Sequence, residues 1–216
     1  ALDTELCASN LERILLQAQA HHNFVRIDME DTPYTDATIA LYHRMRQRGF
    51  QNVGVVIQAY LYRSENDTRQ LLASGTPIRL VKGAYKEPPD KAFPKKADVD
   101  ANFDLLTKLL LDASLAQASR LSADGRFPPL AAIATHDEKR IDFARRYAEK
   151  IGLPKEGLEF QMLYGIRRDL QERLAAEGYP LRVYVPYGTH WYPYFMRRLA
   201  ERPANVWFLL VNLFRG

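Results

Sequence analysis

The segment from Arg79 to Tyr85 carries the side chains that most directly suggest chemistry. It is a β-type run that ends in a lysine, two small residues and an aromatic ring. Small residues at a strand end let a planar ring or a phosphate approach the backbone, and Arg79 and Lys82 would offer it positive charge. The segment predicts a site for an anionic or planar ligand, with an ordinary turn as the alternative explanation of Gly83.

Two adjacent arginines, Arg197 and Arg198, lie in a helical pattern near the end of the chain. Arginine binds a carboxylate through paired hydrogen bonds, so these residues are a candidate clamp for a small carboxylate. Both would reach one anion only if the helix crossed the mouth of the site, because successive side chains on a helix point in different directions. Glu201 would help to hold the clamp or form a helix pair. The alternative is a solvated pair on the surface.

His136 ends a predicted strand and precedes Asp137, a candidate N-cap of the next helix. We predict no metal site, because no second histidine or carboxylate stands at ligand spacing. His136 is interpreted as a hydrogen-bonding partner for a cofactor or for the backbone. A nucleophile elbow and a Walker-type phosphate loop are also missing from the sequence, which favours chemistry carried by a bound cofactor.

Short β-branched or apolar runs alternate with helical patterns, which predicts βα units and a parallel sheet. The runs cover residues 24–29, 53–60, 78–85, 130–136, 158–163 and 181–188. The helical patterns cover about residues 3–20, 35–48, 65–74, 98–120, 137–150, 167–177 and 190–213. The long connection over residues 86–99 is predicted to be a mobile flap over a site or, equally, a solvated surface excursion.

Two architectures use such units, an open doubly wound sheet and a closed (βα)8 barrel. The doubly wound fold calls for a glycine-rich turn after its first strand, and residues 24–30 contain no glycine. In a barrel, functional residues gather at the C-terminal ends of many strands. The predicted strands end in such residues: Asp28 and Glu30, Gln58, Lys82 and Tyr85, Thr135 and His136, Gln161, and Tyr184. We predict an α/β fold, a TIM-like (βα)8 barrel in one domain over residues 1–216, with the first one or two strands missing from this sequence.

The composition indicates a globular protein, since 47% of the 216 residues are hydrophobic. The 30 Lys and Arg residues are scattered among 26 Asp and Glu residues, so we predict no nucleic-acid partner. Cys7 is the only cysteine, which excludes an intramolecular disulfide and fits a reducing compartment. We expect a cytoplasmic protein, because no apolar run reaches the length of about 18 residues that is needed to span a bilayer. Peripheral contact at the inner membrane is a further expectation.

Taken together, these segments resemble the successive strand signatures of proline dehydrogenase, in the right order along nearly the whole chain. The matching stretches are residues 25–30, 56–60, 79–85, 134–137, 159–163 and 184–188, and residues 191–201 resemble the last helix of monofunctional bacterial members. The resemblance implies a barrel that binds FAD and oxidises L-proline to 1-pyrroline-5-carboxylate. It implies the first step of proline catabolism, with a membrane quinone as electron acceptor.

The resemblance also implies roles for single residues. The implied catalytic set is Asp28, Tyr85, Tyr184, Arg197 and Arg198. The implied substrate-binding set is Ala84, Leu163, Tyr184, Arg197, Arg198 and Glu201. The implied cofactor-binding set is Asp28, Val56, Gln58, Arg79, Lys82, Gly83, Ala84, Thr135, His136, Gln161, Arg198 and Glu201. In this scheme the two arginines hold the proline carboxylate, and Arg79 stabilises the reduced flavin.

Other functions stay open at this point. A non-catalytic or truncated barrel that binds a flavin or another ligand would suit the missing front strands. A barrel enzyme for a phosphorylated substrate would explain Lys82 and Gly83 but not Tyr184. The apolar run at residues 206–214 is expected to touch a membrane during electron delivery or to pack on the barrel.

Overall fold

The computed structural model describes residues 3–189, as helices that alternate with strands. In chain order the elements are α1 (Thr4–Ala20), β1 (Val25–Ile27), α2 (Thr32–Gln47), β2 (Val53–Gln58), α3 (Ser64–Ala73), β3 (Ile78–Val81), α4 (Lys96–Ala116), β4 (Ala131–Ala134), α5 (Glu138–Ile151), a 3-10 turn (Lys155–Gly157), β5 (Leu158–Leu163), α6 (Arg168–Ala176) and β6 (Leu181–Tyr184). Two compact units divide the chain, one ending at Val183 and the other beginning at Tyr184.

The strands lie in sequential order from β1 to β6, and the pairs from β1 to β5 are parallel. A doubly wound sheet reverses its strand order at a switch point, which this order does not do. A sequential parallel sheet with a helix between successive strands is the arrangement of a (βα)8 barrel. The predicted barrel class and the six predicted strands are confirmed. All but β5 end two to four residues earlier than predicted, and several polar residues predicted at strand ends, such as Lys82 and His136, belong to loops.

The two faces of the sheet differ in chemistry because successive side chains on a strand point to opposite sides. One row of cross-strand neighbours is apolar and belongs to the main core: Ile27, Val55, Ile78, Ala131 and Leu158. The next row is mixed: Val56, Arg79, Ala132 and Glu159. The apolar row packs with the helices, so the mixed row faces the barrel interior. Small residues in that row leave room for long charged side chains.

Side-chain caps and a glycine define several of the described helix ends. The Asp3 carboxylate caps α1 by accepting from Leu6 N at 2.9 Å. Asp137 does the same for α5, which confirms the predicted N-cap. Gly152, with φ of +73°, ends α5 in a conformation that favours glycine. All six described helices lie within four residues of their predicted bounds.

Several predictions concern residues beyond 189, which lie outside the described part of the chain. They are the helix over 190–213, the clamp residues Arg197, Arg198 and Glu201, and the apolar run at 206–214. The assignment of residues 1–216 to one domain also stays a prediction. Among residues 3–189, no helix combines the length and the hydropathy needed to span a bilayer.

Candidate active site

The centre of the candidate site is Arg79 on β3, whose side chain contacts Gln161 on β5 and Asp28 directly after β1. Its Nε donates to Gln161 Oε1 at 2.7 Å, and its NH1 lies 3.4 Å from Asp28 Oδ1. The Arg79 side chain is only 17% exposed, whereas that of Asp28 is 61% exposed. The structure therefore brings together three predicted site residues, as a shielded guanidinium beside an accessible carboxylate.

A buried carboxylate that the sequence analysis missed lies behind Gln161. Glu159 is 2% exposed, and its Oε1 accepts from Gln161 Nε2 at 2.5 Å. Arg182 donates to both oxygens of Glu159, from Nε at 3.0 Å and from NH2 at 2.9 Å. The available signal was the spacing, because residues two apart on a strand share a face and Gln161 was already singled out.

Arg26 adds further positive charge to the barrel interior. Its NH1 donates to Pro77 O at 2.8 Å and to Val55 O at 3.2 Å. Gly54 allows this approach, since a Cβ there would lie 2.5 Å from Pro77 O and 3.0 Å from Arg26 NH1. Burial lowers the pKa of Arg26 to about 9, and the charge of Arg79 acts in the same direction. The interior therefore favours an anionic ligand, which would offset the neighbouring guanidinium charges.

Gln58 ends β2 and is 4% exposed. Its Oε1 has no hydrogen-bond partner in the part of the chain that the structure describes. A buried acceptor without a donor costs about 1–3 kcal/mol, so Gln58 is suited to receive an N–H or O–H group from a ligand. Val56, on the same face of β2, is 1% exposed.

His136 and Thr135 hold the backbone around the ends of β4 and β5. His136 Nε2 accepts from Leu163 N at 3.0 Å, and Gln171 Nε2 donates to Leu163 O at 3.0 Å. Thr135 Oγ1 accepts from Asp137 N at 3.1 Å. The backbone partner, one of the two predicted for His136, is thus observed. Leu163, the predicted substrate contact, is fixed from both sides.

The segment after β3 is shaped by Tyr60. Gly83 has φ of +112°, and a Cβ on it would lie 2.3 Å from the Tyr60 ring. This packing accounts for the glycine, whose predicted contact with the cofactor stays a prediction. Ala84 is exposed, and the Tyr85 hydroxyl donates to the carboxylate of Glu30. Tyr85 thereby connects the loops that follow β3 and β1.

Lys82 lies apart from the Arg79 group. Its Nζ donates to Asp100 Oδ1 at 2.5 Å and to Asp137 Oδ2 at 2.6 Å. Burial is the largest single effect on both carboxyls and raises their pKa. The hydrogen bonds and charge of Lys82, together with Lys96 at Asp100 and the backbone N–H of Lys139 at Asp137, outweigh burial and lower the pKa of each. Lys82 therefore links the end of β3 to the first turns of α4 and α5. Its predicted contact with the cofactor stays a prediction.

Replacing Lys82 with methionine is expected to lower the free energy of unfolding by about 2 kcal/mol at pH 7, between the values for exposed and buried ion pairs. Both carboxyls have a folded pKa below the unfolded value of about 3.9, so their contribution is present above that pH and is lost as the pH falls through the folded pKa. Urea unfolding of wild type and of Lys82→Met, at pH 7 and at acidic pH, measures the difference in the free energy of unfolding.

The difference between wild type and Lys82→Met should shrink as the pH falls below about 3.9, the unfolded value for aspartate. The matched control is Lys91→Met, because Lys91 contacts Asp90 at 3.5 Å with both side chains more than half exposed. That substitution should cost little at either pH. An equal loss for Lys82→Met at both pH values would contradict the ion-pair explanation.

The connection over residues 86–99 is fastened to the body of the first unit. Glu87 accepts from Thr32 N at 2.8 Å and from Thr32 Oγ1 at 2.5 Å, and the Tyr60 hydroxyl lies 3.3 Å from it. Phe93 N donates to Tyr60 O at 2.8 Å. Most side chains of this segment are exposed. The structure thus favours the surface excursion over the mobile flap.

Tyr184 is the last residue of β6 and the first of the second unit, and its side chain is 42% exposed. The remaining predicted ligands of the substrate, Arg197, Arg198 and Glu201, lie outside the described residues. The described part of the candidate site therefore consists of side chains on the strands β1 to β6 and on the loops that follow them.

Comparison with known proteins gives a consistent picture at the level of sequence. The proline dehydrogenase family model matches residues 2–210. Proline dehydrogenase 2 of Bacillus subtilis (strain 168) is 44% identical over 208 residues, which is 96% of this chain and 63% of that protein. Proline dehydrogenase of Deinococcus radiodurans is 43% identical over 213 residues, which is 98% of this chain and 64% of that protein. The chain thus spans slightly less than two thirds of the length of these relatives.

Solved structures agree at the level of the fold. Proline utilization A (PutA) from Bdellovibrio bacteriovorus, inactivated by N-propargylglycine, superposes with a TM-score of 0.77 and 31% identity, over 91% of this chain and 22% of that one. PutA from Corynebacterium freiburgense has a TM-score of 0.70 and 25% identity, over 94% of this chain and 23% of that one. The sequential barrel and the match along nearly the whole sequence lead to one conclusion. The chain belongs to the proline dehydrogenase family.

Proposed function

We propose that this chain forms most of the catalytic barrel of an enzyme that oxidises L-proline to 1-pyrroline-5-carboxylate. The proposed cofactor is FAD, and the proposed electron acceptor is a membrane quinone. Membership of the proline dehydrogenase family supports the substrate and the place of the reaction at the first step of proline catabolism. The proposed location is the cytoplasm, with peripheral contact at the inner membrane.

One observation carries the proposal: the shielded Arg79 guanidinium on β3 is bound by Gln161 on β5 and lies beside Asp28, at the C-terminal end of β1. The C-terminal ends of the strands are where the catalytic residues of a parallel barrel lie. A guanidinium shielded from water stabilises negative charge more strongly than an exposed one. Arg79 is therefore suited to stabilise the negative charge that a two-electron reduction leaves on a flavin ring.

The residues present fit FAD. Gln58 offers a buried acceptor that lacks a donor within residues 3–189. An N–H group of a flavin ring would supply that donor. The excess of guanidinium groups over carboxylates around Arg79 suits the negative charge of the cofactor. Gln58, Arg79 and Gln161 would hold it from β2, β3 and β5. When bound, FAD supplies the two-electron acceptor for oxidation of the substrate C–N bond.

The protein residues would then orient the substrate rather than react covalently with it. In the proposal, Arg197 and Arg198 hold the carboxylate of proline and Tyr184 packs on its ring. Leu163 limits the pocket, and its backbone position is fixed by His136. Orientation of this kind contributes strongly to rate, because it removes the entropic cost of bringing the reacting carbon to the acceptor.

The test is the visible absorbance of the purified full-length protein before and after anaerobic addition of L-proline. We expect flavin bands that lose intensity when proline is added, because electrons move from the substrate to the cofactor. D-proline serves as a control that should bleach the bands far more slowly. Flavin bands that persist with L-proline would contradict the proposed substrate, and a protein without flavin bands would contradict the proposed cofactor.

A further inference from the structure

The network around Glu159 determines how the side-chain amide of Gln161 is oriented. An ionised carboxylate only accepts hydrogen bonds, and a guanidinium only donates them. Gln161 lies between the two, with Nε2 at 2.5 Å from Glu159 Oε1 and Oε1 at 2.7 Å from Arg79 Nε. Reversing the amide would break both bonds, because its oxygen would then face the Glu159 carboxylate and its NH2 group would face the Arg79 guanidinium. One orientation of Gln161 therefore satisfies both neighbours.

Glu159 itself is held in place. Arg182 binds both of its oxygens, at 3.0 and 2.9 Å, and Arg182 NH2 also donates to Gly125 O at 2.9 Å. Glu159 is 2% exposed, so its hydrogen bonds form in surroundings with little water. Paired guanidinium–carboxylate bonds restrict both partners to one plane. The orientation of Gln161 thus depends on a rigid buried anion.

We propose that Glu159 is a positioning residue, which holds the Gln161 amide so that Gln161 in turn directs the Arg79 guanidinium toward the flavin. The proposal rests on the proposed function, because it assumes that the flavin binds beside Arg79. Glu159 does not itself touch the cofactor. Its influence passes through the Gln161 amide to Arg79, over two successive hydrogen bonds.

The flavin reduction potential separates this role from a simple charge effect. Removing a negative charge near a flavin stabilises the anionic reduced form and raises the potential. Loss of a correctly placed Arg79 removes stabilisation of that form and lowers the potential. For Glu159→Met, which removes both the charge and the acceptor, the two explanations therefore predict opposite signs of the change in potential.

The experiment measures the flavin potential and the rate of flavin reduction by L-proline in full-length Glu159→Met protein, which has no acceptor for the Gln161 amide. We expect a lower potential and a rate about tenfold slower, as for other residues that orient a functional group. The double variant Glu159→Met/Arg182→Met keeps the net charge and avoids an unpaired arginine, and it should show the same fall. An unchanged or raised potential in both variants would overturn the proposal.

A double-mutant cycle tests the route through Gln161. If Glu159 acts through that amide, Glu159→Met should have no further effect on the potential in a Gln161→Ala background. Additive shifts would overturn the proposal. Glu177→Met is the matched control, because Glu177 also pairs with an arginine, Arg145, but does not belong to the Arg79 network. It should leave the potential unchanged.

A further readout needs no flavin. The Nε–H signal of Arg79 in nuclear magnetic resonance, assigned by its loss in Arg79→Lys, should be protected from hydrogen exchange in wild type. Its protection should fall in Glu159→Met as it does in Gln161→Ala, and retained protection would overturn the proposal. If wild-type protein binds flavin that is reduced by proline, but the variants behave like wild type, this proposal alone is overturned. Wild-type protein that binds no flavin would overturn the proposed function as well.

Discussion

Replacing Arg79 with methionine is expected to slow the reduction of bound flavin by L-proline by about 10²–10³-fold, the usual loss when a preorganised charge-stabilising donor is removed. Methionine preserves much of the apolar stem but supplies no positive charge. Arg79→Lys should recover part of the rate, because it keeps the charge but loses the planar group that binds Gln161. Stopped-flow absorbance under anaerobic conditions measures the rate.

Stability must be measured beside the rate, because Arg79→Met also leaves Gln161 Oε1 without its donor. That loss should cost about 1–3 kcal/mol in the free energy of unfolding. The matched control is Arg145→Met, since Arg145 pairs with Asp142 at 3.3 Å and with Glu177 rather than with site residues. It should not change the rate of flavin reduction. A normal rate in Arg79→Met would remove Arg79 from the proposed mechanism.

Replacing Gly83 with alanine is expected to cause a large loss of stability. Strain at its φ of +112° should cost about 1–3 kcal/mol. The new Cβ would also lie 2.3 Å from the Tyr60 ring, and such overpacking costs about another 1–3 kcal/mol. The sum is a substantial share of the roughly 5–15 kcal/mol that stabilise a typical domain. Urea unfolding followed by circular dichroism measures it.

Gly49→Ala separates the two costs. Gly49 has φ of +93°, and nothing lies within 4 Å of a Cβ built on it. This substitution should therefore show the strain alone. If Gly83→Ala costs no more than Gly49→Ala, the Tyr60 ring gives way without penalty, and the explanation offered for Gly83 is wrong.

The roles of Lys82 and His136 show how far sequence reasoning extended into the site. Both were recognised as strand-end groups, and both lie just after strands. Their partners were not predictable, because Lys82 binds Asp100 and Asp137 on two different helices. Such partners depend on how α4 and α5 are placed over the sheet. Arg79, Asp28 and Gln161 were also predicted as site residues, and the structure brings them together, while their roles stay predictions.

The sequence by itself determined the order of the elements and the barrel class, because apolar alternation and helix caps act over a few neighbouring residues. It also identified which strands are followed by polar or ionisable side chains. Only the tertiary structure decided which of these side chains meet. Arg79 and Gln161 are 82 positions apart, and strand register brings them together. Glu159 lies two residues from Gln161 on β5, so their shared face could be read from the spacing, but its burial and its pairing with Arg182 are properties of the assembled barrel.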